Sequence, residues 1–139
     1  MVMHDYSKDN YPKNFKLSVV MPAYNEEKTI KEIIKRVKAV KIPKEIIIID
    51  DGSKDSTRSI LKGTKCGDTE NNIRILLNRK NVGKSYSVRR GIKEARGNII
   101  IIQDADLEYN PQDYHKVIKP ILEGISKVVY GTRFPRTKK

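Results

Sequence analysis

The sequence predicts an α/β domain, a three-layer sandwich in which helices cover both faces of a mostly parallel sheet. Three observations predict it. Short runs such as Ile46–Ile49 and Ile99–Ile102 are apolar at every position, as strands buried on both faces are. These runs alternate with segments whose apolar residues recur at helical spacing, the mark of a βαβ arrangement. The chain has 139 residues, 37% of them hydrophobic, which fits one domain of about 100–200 residues with its own core.

The elements follow in order. Residues 1–15 are polar and aperiodic and are expected to form a loose tail before a domain spanning 16–135, with a basic end at 136–139. Lys16–Met21 reads as the first strand, stopped by Pro22. Asn25 is expected to cap the first helix, with Glu26 and Glu27 in its positive first turn. Ile30, Ile33, Ile34 and Val37 fall on one helical face. Glu45–Ile49 is the second strand, Asp50-Asp51-Gly52-Ser53 a turn, and Asp55 or Ser56 the cap of a short helix through Ile60 and Leu61. Ile73–Leu77 is the third strand. Gly83 opens the next helix, whose buried side takes in Val88, Ile92 and Ala95 and which Gly97 closes. Asn98–Ile102 is the fourth strand. Asn110-Pro111-x-Asp113 starts a helix whose stripe is Tyr114, Val117, Ile118, Ile121 and Leu122, with a kink expected at Pro120. Ser126–Tyr130 reads as a fifth strand, ahead of Gly131-Thr132-Arg133-Phe134.

Composition narrows the function classes. No apolar run approaches the roughly 18 residues of a membrane span, and Met1–Tyr6 gives no secretory signal. A single cysteine, Cys66, rules out an intrachain disulfide and fits a reducing compartment. His4 and His115 have no partners at metal-ligand spacing. The net charge of +12 invites an anionic partner, or describes a well-solvated lysine-rich surface. Its distribution is uneven. Between Arg96 and Lys116 there is no Lys or Arg, yet Asp104, Asp106, Glu108 and Asp113 fall there. An acidic island of this kind suits a divalent cation and not a nucleic-acid surface, and no G-x-G-x-x-G or P-loop pattern is present.

Ligands of parallel sheets bind beyond the carboxyl ends of the strands, so the residues there carry the candidate chemistry. Asp104-Ala105-Asp106 supplies hard oxygen ligands of the type Mg²⁺ or Mn²⁺ shares with substrate phosphates, and Glu108 adds another. Asp50-Asp51 reads equally as turn chemistry, or as Asp51 accepting from a nucleotide base while Asp50 holds the loop. Tyr24 puts a ring at a strand mouth. Lys84, at a glycine-opened helix start, and Arg133, with its planar fork, suit phosphate; each taken singly reads more simply as solvated surface.

Together, Val19-Val20-Met21-Pro22-Ala23-Tyr24-Asn25-Glu26, Ile47–Ser53, Asn81-Val82-Gly83-Lys84, Gln103-Asp104-Ala105-Asp106-Leu107-Glu108 and Gly131-Thr132-Arg133-Phe134 resemble the nucleotide-sugar half of family 2 glycosyltransferases. The wording Asp-Ala-Asp-Leu and Gly-Thr-Arg-Phe is most similar to dolichyl-phosphate (polyprenyl-phosphate) mannosyl- or glucosyltransferases. The resemblance covers residues 16–135 and implies a Rossmann-like GT-A fold that binds a GDP- or UDP-sugar, of the GDP-mannose or UDP-glucose class. It implies that Pro22, Tyr24, Glu26, Ile49 and Asp51 surround base and ribose, with Lys84, Asp104, Ala105 and Arg133 also on the nucleotide sugar. It implies that Asp106 and Glu108, with Asp104, hold Mg²⁺ or Mn²⁺, and that Asp106 and Arg133 serve catalysis. Many relatives have Gln in place of Glu108. The implied reaction is inverting transfer of a hexose to a polyprenyl phosphate, in the cytoplasm or at the cytoplasmic membrane face, by peripheral contact. Family chains continue well past the Gly-Thr-Arg motif, whereas this sequence ends at Lys139, six residues after Arg133. The alternatives are a truncated remnant that binds nucleotide sugar without transferring it, or a subunit completed by a partner chain or oligomer.

Overall fold

The computed structural model describes residues 11–64 and 71–128. Along them run β1 (Leu17–Ala23), α1 (Ile30–Ala39), β2 (Lys44–Asp50), α2 (Thr57–Lys62), β3 (Asn71–Leu77), α3 (Lys84–Glu94), β4 (Ile99–Ile102) and α4 (Tyr114–Leu122), the last entered through a 3-10 turn at Pro111–Asp113. The four strands are parallel and lie in the order β3-β2-β1-β4. The chain steps outward from β1 to β3 and then crosses back to lay β4 on the other side of β1. The order therefore reverses between β1 and β4, and the crevice beyond their carboxyl ends is where such sheets take ligands.

Alternation along each strand divides the core in two. Leu17, Val19, Met21, Ile46 and Ile48 point to the face covered by α1, α2 and α4, where they meet Ile30, Ile33, Val37, Leu61 and Ile118. Val20, Ile47 and Ile49 form a smaller cluster on the face under α3. These are the three layers the sequence predicts.

On the α3 side the fit is made by small residues. Ser87 and Gly91 are the buried positions of α3, and a Cβ at Gly91 would stand 2.4 Å from Val20 Cγ1 and 2.7 Å from Ile49 Cδ1. The expected buried face of Val88, Ile92 and Ala95 is thus rotated: Ile92 is 42% exposed, because the helix backbone itself lies over the sheet.

Other expectations need correction at the ends of elements. Pro22 does not stop β1, which pairs with β2 through Ala23. Residues of β1 at even positions turn their N–H toward β4, as the bond from Gln103 N–H to the Val20 carbonyl shows (2.9 Å). By Pro22, β4 has already ended, so the missing N–H costs no ladder bond. Asn25 does not cap α1: it adopts φ +52°, and the helix begins five residues later at Ile30. Gly97 does not close α3, which ends at Glu94; a Cβ there would meet Ser18 Oγ at 2.5 Å and the Lys16 carbonyl at 2.6 Å where the chain enters β4. Residues 126–128 are not in a strand, and 129–130 lie outside the described residues. Helix start Asn110-Pro111 is as expected, Asn110 Oδ1 accepting from Gln112 N–H at 3.1 Å. Of the expected tail, Phe15 is in the core and Tyr11 stacks on it at 5.2 Å, with its hydroxyl bonded to His115 Nδ1.

The amino-end pole of the sheet closes on a buried charge. Glu45 is fully buried; its Oε1 accepts from Ser18 Oγ and Arg96 N–H, both at 2.6 Å, and its Oε2 from Arg74 Nη2 at 3.2 Å. Burial works against ionisation of Glu45, but these hydrogen bonds and the Arg74 charge outweigh it and hold the carboxyl below its ordinary value.

Candidate functional site

At the opposite pole, two loops are laced together by reciprocal bonds. Asn25 N–H donates to Ser53 Oγ (3.0 Å) while Lys54 N–H donates to Asn25 Oδ1 (2.9 Å). Glu27 N–H donates to Asp55 Oδ2 (3.2 Å) while Ser56 N–H donates to Glu27 Oε2 (2.9 Å). Glu26 N–H reaches Thr57 Oγ1 at 2.9 Å. Asn25 takes a left-handed conformation because its side chain serves this lacing. Asp55 Oδ1 also accepts from Thr57 N–H at 2.9 Å, the local bond expected of a cap. Its partial burial works against ionisation, and the donors from Thr57 and Glu27 prevail and lower its pKa.

Asp51 is the hub of the next layer. It is buried, and its Oδ1 accepts from Val82 N–H (2.8 Å) and Asn78 Nδ2 (3.0 Å). Its Oδ2 accepts from Gly83 N–H (2.9 Å) and Asn81 Nδ2 (3.1 Å). A carboxylate offers about four lone-pair sites, and all are taken by residues 78–83. The loop is therefore held by Asp51 itself. Asp50 is fully buried beside it and accepts from Arg58 Nε at 3.0 Å; among the described residues its Oδ1 meets no donor. Gly52, at φ +69°, lets the two loops touch, since a Cβ there would be 2.5 Å from Asn81 N.

This framework delivers Gly83 and Lys84 to the start of α3, where Lys84 Nζ lies 2.5 Å from Asp104 Oδ1. A cleft of about 290 Å³ results, and it brings Pro22, Tyr24, Glu26 and Asp51 together with Lys84, Asp104, Ala105 and Asp106. Tyr24 is 43% exposed there, a ring free to meet a flat ligand. Two predicted residues stand apart from it. Ile49 is fully buried under α3, and Glu108 is exposed beyond the cleft, its N–H donating to Asp106 Oδ1 at 3.3 Å. Arg133, like Cys66 and His4, lies outside the described residues.

Whether the donor set suits a divalent ion is answered by its chemistry. Asp104 and Asp106 line one cleft, and Asp104 already holds a cation in the form of the Lys84 ammonium. Among the described residues no group of three acidic, His or Cys side chains gathers. Two carboxylates fit an ion that completes its shell with ligand phosphates and water, the usual habit of Mg²⁺.

Sequence reasoning gave no role to four residues that build the frame: Asn78 and Thr29, and Asn81 and Gln103, which stand in the quoted motifs. A signal was available. Three of the four apolar strand runs end on a polar residue, Asp50, Asn78 and Gln103, and all three are buried and bonded.

Known proteins share the family and the fold. A family model described as Glycosyl transferase family 2 matches residues 18–139. An undecaprenyl-phosphate 4-deoxy-4-formamido-L-arabinose transferase of Pseudomonas fluorescens (strain SBW25) is 31% identical over 116 residues, covering 81% of this chain and 34% of that protein. The chain thus spans about a third of the length of that relative. Among solved structures, S. aureus TarS 1–349 in complex with UDP-GlcNAc superposes with a TM-score of 0.65 at 24% identity, over 79% of this chain and 32% of TarS. The mannosyltransferase PcManGT from Pyrobaculum calidifontis, in complex with GDP-Man and Mn²⁺, gives 0.64 at 23% identity, over 74% of this chain and 31% of the other. These two establish the GT-A fold, and with the family match over residues 18–139 the chain belongs to glycosyltransferase family 2.

Proposed function

We propose that this domain binds a GDP- or UDP-sugar together with Mg²⁺ or Mn²⁺ and serves inverting transfer of the hexose to a polyprenyl phosphate, in the cytoplasm at the membrane face. One observation carries the reading. The cleft at the sheet's switch point places an exposed ring, Tyr24, and a cation at a helix start, Lys84, in the same 290 Å³ as the Asp104 and Asp106 carboxylates. A nucleoside diphosphate needs those three chemistries side by side. The relatives support the finer terms: undecaprenyl phosphate stands in the name of one, UDP-GlcNAc is in the TarS complex, and GDP-Man with Mn²⁺ is in that of PcManGT. No helix among the described residues is long and apolar enough to cross a membrane.

In this reading Pro22, Tyr24, Glu26 and Asp51, with Ile49 behind them, shape the base and ribose pocket, and Lys84, Asp104 and Ala105 face the ribose and diphosphate. Asp106 and Asp104, with the donor phosphates and not Glu108, which stands apart from the cleft, would hold the divalent ion, which when bound neutralises charge on the departing diphosphate. An acceptor phosphate oxygen attacks the anomeric carbon as the bond to the diphosphate oxygen breaks, inverting the centre. Lys84 and Arg133 stabilise the charge where it grows. A phosphate nucleophile carries about −1.5 to −2 charges near neutral pH, by analogy with phosphorylated side chains, so it needs no strong general base.

The test is calorimetric titration with GDP-mannose and UDP-glucose, with and without Mn²⁺, followed by transfer of radiolabel to polyprenyl phosphate. Tight binding of one donor that requires Mn²⁺, lost in Asp106→Ala with the fold intact, is the expected result. Equal affinity with and without the metal would count against it. Donor binding without labelled lipid would mark a domain that binds and does not transfer.

A further inference from the structure

The acidic loop after β4 is tied down by side chains that never enter the cleft. Gln103 follows the last residue of β4 and is buried, and its N–H adds one more bond to the ladder, to the Val20 carbonyl at 2.9 Å. Its Nε2 donates to the Asp104 carbonyl at 3.0 Å, and its Oε1 accepts from the Tyr114 hydroxyl at 2.5 Å. The orientation of the amide is determined. Rotated by half a turn, it would set its oxygen against the Asp104 carbonyl oxygen, so Tyr114 must be the donor. Burial pushes the Tyr114 pKa up, which keeps the proton in place for that bond.

Tyr114 is the first residue of α4. Its bond to Gln103 therefore closes the segment 103–114 at its two ends. A second tie enters from the other side: Thr29 Oγ1, in the turn before α1, lies 2.8 Å from the Ala105 carbonyl and 3.1 Å from Glu26 Oε2. The hydroxyl proton has both acceptors within reach, and the shorter contact is to the Ala105 carbonyl. Between these anchors Leu107, Glu108, Tyr109 and Asn110 are exposed. The carbonyls of Asp104 and Ala105 are thus gripped from below, while the carboxylates of Asp104 and Asp106 line the cleft.

We propose that Gln103, Tyr114 and Thr29 are positioning residues that fix where the Asp104 and Asp106 carboxylates stand, and so set the affinity of the cleft for a divalent ion presented with a nucleoside diphosphate. This rests on the functional reading above. A carboxylate pair carried on a loop binds an ion well only if its separation is set beforehand, because the two charges otherwise repel and drift apart.

The test uses the whole chain, Mn²⁺ as the metal and GDP or UDP as the nucleotide, with bound Mn²⁺ counted by electron paramagnetic resonance. Tyr114→Phe keeps the ring and removes the donor; Thr29→Val keeps the shape and removes the hydroxyl; Thr29→Ser keeps the hydroxyl. Expected is a loss of about tenfold in Mn²⁺ affinity for Tyr114→Phe and Thr29→Val, the lower end of what outer partners of metal ligands contribute. Nucleotide affinity without metal falls by less than Mn²⁺ affinity does, and Thr29→Ser retains wild-type Mn²⁺ affinity. Should Tyr114→Phe fail to fold, Thr29→Val against Thr29→Ser decides alone. Variants that melt earlier yet keep the full metal effect would reduce the three residues to structural props and overturn the proposal. A wild-type chain that binds neither nucleotide, with or without Mn²⁺, would overturn the functional reading and this proposal with it.

Discussion

At the scale of single residues, Asp51 holds a neighbouring loop through its own carboxylate. Its carboxylate accepts two main-chain and two side-chain donors from residues 27 to 32 positions away. Asp51→Asn keeps the size but turns one acceptor oxygen into an N–H₂ donor that faces other donors. Hydrogen bonds to charged groups contribute about 1.5–3 kcal/mol each, and stranding buried donors adds to the loss. Asp51→Asn is expected to lose about 3 kcal/mol in urea unfolding, and to weaken nucleotide binding because Gly83 and Lys84 are released. A variant as stable as the wild type would show that the loop is held by something else. The position of Asp51 past a buried strand was legible in the sequence. Its partners were not, since nothing local connects Asp51 to Asn78 or Asn81; only the folded sheet makes them neighbours.

At the scale of elements, periodicity located the helices but misplaced one face. The i, i+3, i+4 pattern of Ile30, Ile33, Ile34 and Val37 is the buried face of α1 in full. In α3 the same rule favoured Ile92, which is exposed, over Ser87 and Gly91, which are buried. Hydrophobic spacing cannot see a helix that approaches a sheet through its backbone. Gly91→Ala tests that account, because two effects oppose. Alanine improves intrinsic helix stability by about 1 kcal/mol. Its Cβ would be driven to 2.4 Å from Val20 Cγ1 and 2.7 Å from Ile49 Cδ1, and overpacking a filled core costs about 1–3 kcal/mol. Both neighbours are fully buried, so there is little room to yield and the clash is expected to win. The variant should melt below the wild type, and Gly91→Ala combined with Val20→Ala should recover part of the loss. A higher melting temperature for Gly91→Ala would mean that α3 rides further from the sheet.

At the scale of the whole molecule, the sheet separates two tasks between its poles. The carboxyl ends of the strands carry the cleft, and the amino ends carry the buried Glu45 with Arg74, Ser18 and the Arg96 N–H. The parallel fold and the strand-end acids were legible because βαβ alternation and turn residues are local signals. The Glu45 network was not, since a charged residue opening a strand reads as solvated surface. Its effect follows from linkage. The pKa of Glu45 is lowered in the folded protein, so its ionised form contributes stability that is fully present above the ordinary carboxylate value of about 4.3 and is lost as pH falls through the folded value. Glu45→Gln keeps the shape but sets an amide N–H₂ against the Arg74 guanidinium. Breaking a buried ion pair on one side costs about 3–5 kcal/mol; because Arg74 retains 22% side-chain exposure and a second carboxylate, Glu94, at 3.2 Å, the lower end, about 3 kcal/mol, is expected near neutral pH. The gap between wild type and variant should narrow in denaturant titrations carried below about pH 4, as the wild-type carboxylate takes up its proton. Nucleotide affinity at neutral pH should not change, because no bond of this network reaches the cleft. If affinity fell together with stability, the two poles would be coupled through the strands, and the independence argued from their separation would be wrong.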